Sequence, residues 1–197
     1  MRLLNTNCEV VGGALIAPSF TTHFQNALDG QAHGVEFTLQ RRSNSRLSGW
    51  ASYAYGHARY HDQVTGESFW ADFDQRHTVN AYGLYRFNER FSASGRFREG
   101  SNYPAQGYWQ EQNGAFVVGT TRNDLRIPTY ARLDLRLNRT FIRREARLTL
   151  FAEVLNVLDR NNVRQGTAGI NPVTFQATHL FDRLFPRVPS AGVLVEF

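Results

Sequence analysis

His57 and His61, with Asp62 beside the second, are metal-ligand types at a four-residue spacing. In a strand the two imidazoles share a face but lie ~13 Å apart. One ion could be held only by a turn or helix, so no metal is assigned. Asp72 and Asp74 are a second candidate, since two carboxylates on one face could share acid–base work. Arg76 offers Asp74 a local partner instead, and no pocket that would raise a carboxylate pKa can be argued. Cys8 is the single cysteine and has no CxxC or HExxH context, and neither a Gly-rich phosphate loop nor a Gly-x-Ser-x-Gly elbow is present. Tyr103, Tyr108 and Trp109 form a candidate ligand-contact loop that could stack on a bound sugar or pack on itself. No catalytic residue and no cofactor follows from these groups.

The most informative charges are not in a motif at all. Arg132, Asp134 and Arg136 stand at alternate positions between Ala131, Leu133, Leu135 and Leu137. Glu153 stands in a similar alternation of Leu148, Leu150, Ala152 and Val154. Burying such charges in a dry core costs several kcal/mol unless they pair. Their face must therefore be wet or internally paired, and the elements that carry them are strands.

Period-two alternation begins near Gly34 and recurs to the end of the chain. Expected strands cover about 34–40, 47–60, 78–87, 91–98, 131–138, 147–154 and the terminus. Residues 1–32 read as loop with room for a short strand near Cys8–Leu15, and 33–197 as one strand-rich unit. The chain closes on a stripe of Val193, Val195 and Phe197. Connections alternate short and long, so all short turns fall on one edge and all long loops on the other.

The formal charge is +5 and every basic residue is Arg. Those arginines are dispersed, and a nucleic-acid footprint needs clustered charge. One cysteine excludes an internal disulfide framework. No run of ~18 apolar residues is present, so no transmembrane helix is expected. The N-terminus lacks the apolar stretch of a signal peptide. Barrel strands escape a hydropathy window, and short turns opposite long loops are the pattern of outer-membrane barrels. Aromatics near the expected strand ends, Tyr53, Tyr55, Tyr85, Phe87, Phe91 and Phe97, suit interfacial girdles. The fold class expected is all-β, an antiparallel up-and-down transmembrane barrel segment of about seven strands.

Asp74-Gln75-Arg76-His77-Thr78-Val79-Asn80, Tyr103-Pro104 and Pro128 to Arg136 together resemble a TonB-dependent outer-membrane receptor. The run Phe151 to Asn162 resembles that family's penultimate strand and its exit into a loop, and Phe197, with Val195 and Val193, its assembly signal. The resemblance covers about residues 26–197 and implies a barrel of about 22 strands plugged by an N-terminal domain. It further implies uptake of a scarce, bulky solute, such as a siderophore, cobalamin or a glycan, in the outer membrane of a Gram-negative bacterium. Partners implied are outer-membrane lipid, the barrel assembly machinery, and TonB through a plug not seen in this sequence. The chain is expected to be the C-terminal part of such a barrel. The alternatives are a structural or adhesive outer-membrane barrel and a soluble β-sheet binding protein.

Face parity also sets registers. Across Asn88-Glu89-Arg90, opposed residues must sum to an even number, so Phe87 is expected opposite Phe91 and Tyr85 opposite Ala93. Between the fifth and sixth strands the sum must be odd. A sum of 283 opposes Arg136 to Arg147, so 285 is expected, with Arg132 opposite Glu153 as an ion pair in the lumen. Deleting Phe197 from the parent receptor should lower its level in outer-membrane fractions more than it changes the affinity of molecules that insert. Unchanged levels would contradict the assembly role.

Overall fold

β-Branched and aromatic residues at alternate positions favour extended chain, and the long runs of them become long strands. The computed structural model describes residues 2–3, 9–11, 14–16, 24–42, 46–143, 146–174 and 176–197. Two small ladders come first: β1 (Arg2–Leu3) pairs with β4 (Phe24–Gln25), and β2 (Glu9–Val11) with β3 (Ala14–Ile16). The main sheet contains β5 (Leu28–Arg41), β6 (Leu47–Asp62), β8 (His77–Asn88), β9 (Phe91–Gly100), β12 (Tyr130–Arg143), β13 (Ala146–Leu155) and β16 (Val188–Glu196). They pair antiparallel in chain order, β5-β6-β8-β9-β12-β13-β16, and β7 (Ser68–Trp70) adds to the end of β6. The sheet is open, with β5 and β16 as its edges, and is part of a barrel wall.

β5–β6, β8–β9 and β12–β13 join through short turns at one edge. The long connections at the other edge carry β7, the hairpin β10 (Trp109–Gln112) with β11 (Ala115–Val118), and the pair β14 (Val163–Gln165) with β15 (Phe181–Arg183). The turn of β10–β11 is Asn113-Gly114, both at positive φ, as a tight hairpin turn requires.

The seven strands share one parity from end to end. One face carries Phe37, Leu39, Tyr53, Val79, Ala81, Phe97, Leu135, Leu137, Leu150 and Val193 in register. Many of these are open to the surroundings, Phe37 at 64% and Val193 at 60%. Soluble monomers rarely leave a continuous apolar face of this extent uncovered. The other face carries Thr38, Ser52, Asn80, Arg96, Ser94, Arg132, Asp134, Arg136 and Glu153. On that face the Phe151 ring lies over Gly192, where any Cβ would strike it.

Two expected registers change. Tyr85 opposes Ala93 as expected, but Phe91 pairs with Asn88 rather than Phe87. The turn holds only Glu89 and Arg90, with the Arg90 N–H donating to Asn88 Oδ1 at 2.9 Å. That register alone would flip the faces, and a bulge between Arg86 and Asn88 restores them. Phe87 and Phe91 still stack, their centroids 4.9 Å apart. Between β12 and β13 the sum is odd but equals 289, from Leu135↔Val154 and Arg136↔Glu153, not 285. The ladder runs on to Arg143↔Ala146, so the centre of the hairpin lies two residues later than expected and each partner moves by four. The pair expected between Arg132 and Glu153 does not form.

In the membrane barrel that the resemblance implies, Leu135→Arg should destabilise the inserted protein by about 2–4 kcal/mol, whereas Thr38→Arg on the polar face should stay within about 0.5. Urea titration in lipid vesicles measures both, and equal effects would contradict the assignment of faces.

Candidate functional site

The four charged residues singled out in the sequence lie on one face and line one cleft of about 370 Å³ with Tyr82 and Arg96. Arg132 Nε donates to Asp134 Oδ1 at 2.6 Å, within its own strand. Arg136 reaches Glu153 across the ladder at 3.7 Å and stacks on the Phe151 ring at 4.0 Å. Asp134 Oδ1 also accepts the Asn156 N–H at 2.9 Å, at the left-handed residue where β13 turns into the last long loop. Each cation thus has a carboxylate and an aromatic plane, Arg132 using Phe185 at 4.6 Å.

At the long-loop edge the connections pack into a cap. Its apolar centre is Ala105, Trp109 and Leu180, with Phe116, Leu125 and Phe181 against them. Its polar centre is Asp74, which is fully buried. Asp74 accepts from the Ala58 N–H at 2.8 Å and from Arg126 Nη2 at 2.6 Å, while Arg76 Nε stands 3.7 Å away. Arg126 also donates to the carbonyls of Asp74 and Asn102. Asn123, fully buried at φ 60°, donates to the Trp70 carbonyl and to Asp72 Oδ1 and accepts from the Gly107 N–H. Gln106 and Gln165 exchange two hydrogen bonds between the second and third long loops.

Beneath the cap is a cavity of about 590 Å³, lined by Gln75, Asn80, Arg98, Tyr103, Tyr130 and Arg164 among others. That is within the range of small-molecule sites. The three loop aromatics separate. Tyr103 lines this cavity, the Tyr108 hydroxyl donates to Glu67 Oε2 at 2.8 Å, and Trp109 is buried with its Nε1 on the Gln106 carbonyl. His57 and His61 both lie in β6. Among the described residues no three His, Cys, Asp or Glu side chains are placed to hold a metal. Asp72 and Asp74 are not a catalytic pair, since each is tied to a different neighbour, Asn123 and Arg126.

Sequence reasoning missed Arg126 and Asn123, which act on partners about fifty residues earlier. It also missed the Asn113-Gly114 turn, a signal that was available to it. The model of the family described as TonB dependent receptor-like, beta-barrel matches residues 5–157. No curated protein and no solved structure matches the chain.

Arg126→Met should leave Asp74 short of its main cation and loosen the cap by about 3 kcal/mol, roughly a hundredfold in local opening. Amide exchange at Ala58 and Ala105 should accelerate while Leu150, in the sheet, keeps its rate. A uniform change across the chain would contradict a cap-specific role.

Proposed function

Because the chain belongs to the TonB-dependent receptor β-barrel family, we propose that it forms wall and loops of an outer-membrane receptor that takes up a scarce, bulky solute, such as a siderophore, cobalamin or a glycan. The observation that carries this reading is the single parity of the seven strands, which separates an uncovered apolar face from a charged one. Lipid meets the apolar face, where the inner strands β6, β8, β9, β12 and β13 are paired on both sides and the edges β5 and β16 pair with the rest of the barrel. The charged face lines a hydrated lumen, where Arg132–Asp134 and Arg136–Glu153 each contribute under ~1 kcal/mol. Their role there is to keep the face wet and polar.

The long loops stand at the outer mouth, and the cavity under them receives the solute, with Tyr103 as a stacking surface. Val193, Val195 and Phe197 present the assembly signal to the barrel assembly machinery. Energy reaches the barrel from TonB through a plug domain. The chemistry is binding and passage, with no reaction on the solute.

Adjacent positions on β9 test the faces. In a Cys8→Ser background, Ser94→Cys in intact outer membranes should react with a small charged thiol reagent, and Ala93→Cys should not. A spin label at position 93 should instead sense lipid-soluble oxygen. Equal labelling of both, or the reverse order, would overturn this reading.

A further inference from the structure

Where the apolar face meets the cap, its chemistry changes. Tyr55 and His77 lie opposite one another, in line with Val35 on the next strand. Two residues further toward the cap, His33 opposes His57, with ring centroids 5.6 Å apart. The next such level is Gln31, Arg59 and Trp70. Three guanidinium groups gather on that one indole: Arg76 at 4.5 Å, Arg59 at 5.4 Å and Arg126 at 5.6 Å from its centroid. A cleft of about 260 Å³ opens among Trp70, Arg76, His77, Ser101, Asn102 and Arg126.

This patch carries more cation than its carboxylates balance. Asp74 is buried and bonded to Arg126, and β9 has one carboxylate, the exposed Glu99. Asp29 on β5 is held by Gln63. Arg59 is exposed and has no ion pair among the described residues. Arg76 Nε is buried without a hydrogen-bond acceptor, its 3.7 Å approach to Asp74 being too long for one. Guanidinium groups suit bidentate contact with phosphate oxygens. Their height matters as much as their charge, because the Arg59–Trp70 level stands above the tyrosines that end the apolar band, with only the His33–His57 level between.

We propose that this patch binds the phosphate of a phosphorylated lipid headgroup in the surrounding leaflet. The apolar band below takes the acyl chains, Tyr53 and Tyr55 stand at the boundary, and Arg59 and Arg76 take the phosphate oxygens. Serine and asparagine at positions 101 and 102 offer donors to the attached sugar or glycerol hydroxyls. A headgroup held there would also press on the Asp74–Arg126 tie, and so on the cap. This rests on the reading that the apolar face meets lipid.

The test uses the receptor extracted from outer membranes in detergent and native mass spectrometry. Probes are a bis-phosphorylated lipid A, its dephosphorylated counterpart and inorganic phosphate. The phosphorylated lipid should be retained well above the dephosphorylated one, and inorganic phosphate should not displace it. Arg59→Gln lies outside the Asp74 tie and should keep the sheet signal in circular dichroism while weakening retention about fivefold, as expected for one guanidinium near an anionic surface. Equal retention of both lipids, displacement by free phosphate, or an unchanged Arg59→Gln would overturn the proposal. Should the labelling at positions 93 and 94 succeed while lipid selectivity is absent, this site alone falls. Should that labelling fail, the wall reading falls with it.

Discussion

A sheet whose one face is apolar and whose other face is charged has a single governing constraint: every ladder must keep side-chain parity. A slip of one residue would turn Arg132, Asp134 and Arg136 onto the side of Leu135 and Leu137. In hydrocarbon that exchange is prohibitive, and it cannot be relieved by opening the ladder, because unpaired backbone groups also cost several kcal/mol there. The Phe87 bulge is the clearest product of this constraint. A two-residue turn at Glu89-Arg90 sets an odd register between β8 and β9, and the chain adds one unpaired residue to recover the even one. The stacked Phe87 and Phe91 rings cover the spot where the ladder is interrupted.

The cap answers a different problem. Long loops have many backbone groups and few neighbours, so they need partners from afar. Asp74 accepts from β6 through the Ala58 N–H and from the second long loop through Arg126. Asn123 ties the second long loop to the first through the Trp70 carbonyl and Asp72 Oδ1. A buried carboxylate is costly unless its lone pairs are used, and here both of its oxygens have donors. Asp74 is one of the places where cap and wall meet, together with β7 on β6 and with Asn162, whose side chain exchanges two hydrogen bonds with the Ala131 backbone, so a change in loop packing there reaches the end of a wall strand.

Strand existence, face and the alternation of short and long connections were legible from sequence because they depend on local period. The seven long strands, including the charged face of Arg132, Asp134 and Arg136, follow from that period alone. Parity was legible for the same reason, but the absolute register was not. Both 285 and 289 satisfy parity and avoid opposing Arg136 to Arg147. The choice lies in which residues between Phe141 and Ala146 close the hairpin, and no Gly, Pro or Asn in that stretch of sequence marks them. The cap was illegible for a further reason. Asp74–Arg126 joins residues 52 apart, and nothing in the local pattern of either residue names the other. Trp109 was read as a candidate ligand contact because an aromatic in a polar loop looks available; its burial comes from Leu180, seventy residues on.

The exclusive use of Arg for positive charge fits both halves of the structure. Every cation–aromatic contact here is made by Arg: on Trp70, Phe69, Phe151, Phe185 and Phe141. A planar guanidinium can lie on a ring and still donate in its own plane, as Arg136 does, lying on Phe151 while its Nε donates to Asn138 Oδ1 at 2.9 Å. A lysine ammonium is more strongly hydrated and would give up one contact for the other. The charged face must remain wet yet ordered, and the cap must bury Asp74 beside two guanidinium groups that also lie on Trp70. Both conditions select a cation that tolerates an aromatic neighbour. The same property leaves three guanidinium groups on Trp70 at the rim, where their charge is incompletely answered by the protein itself.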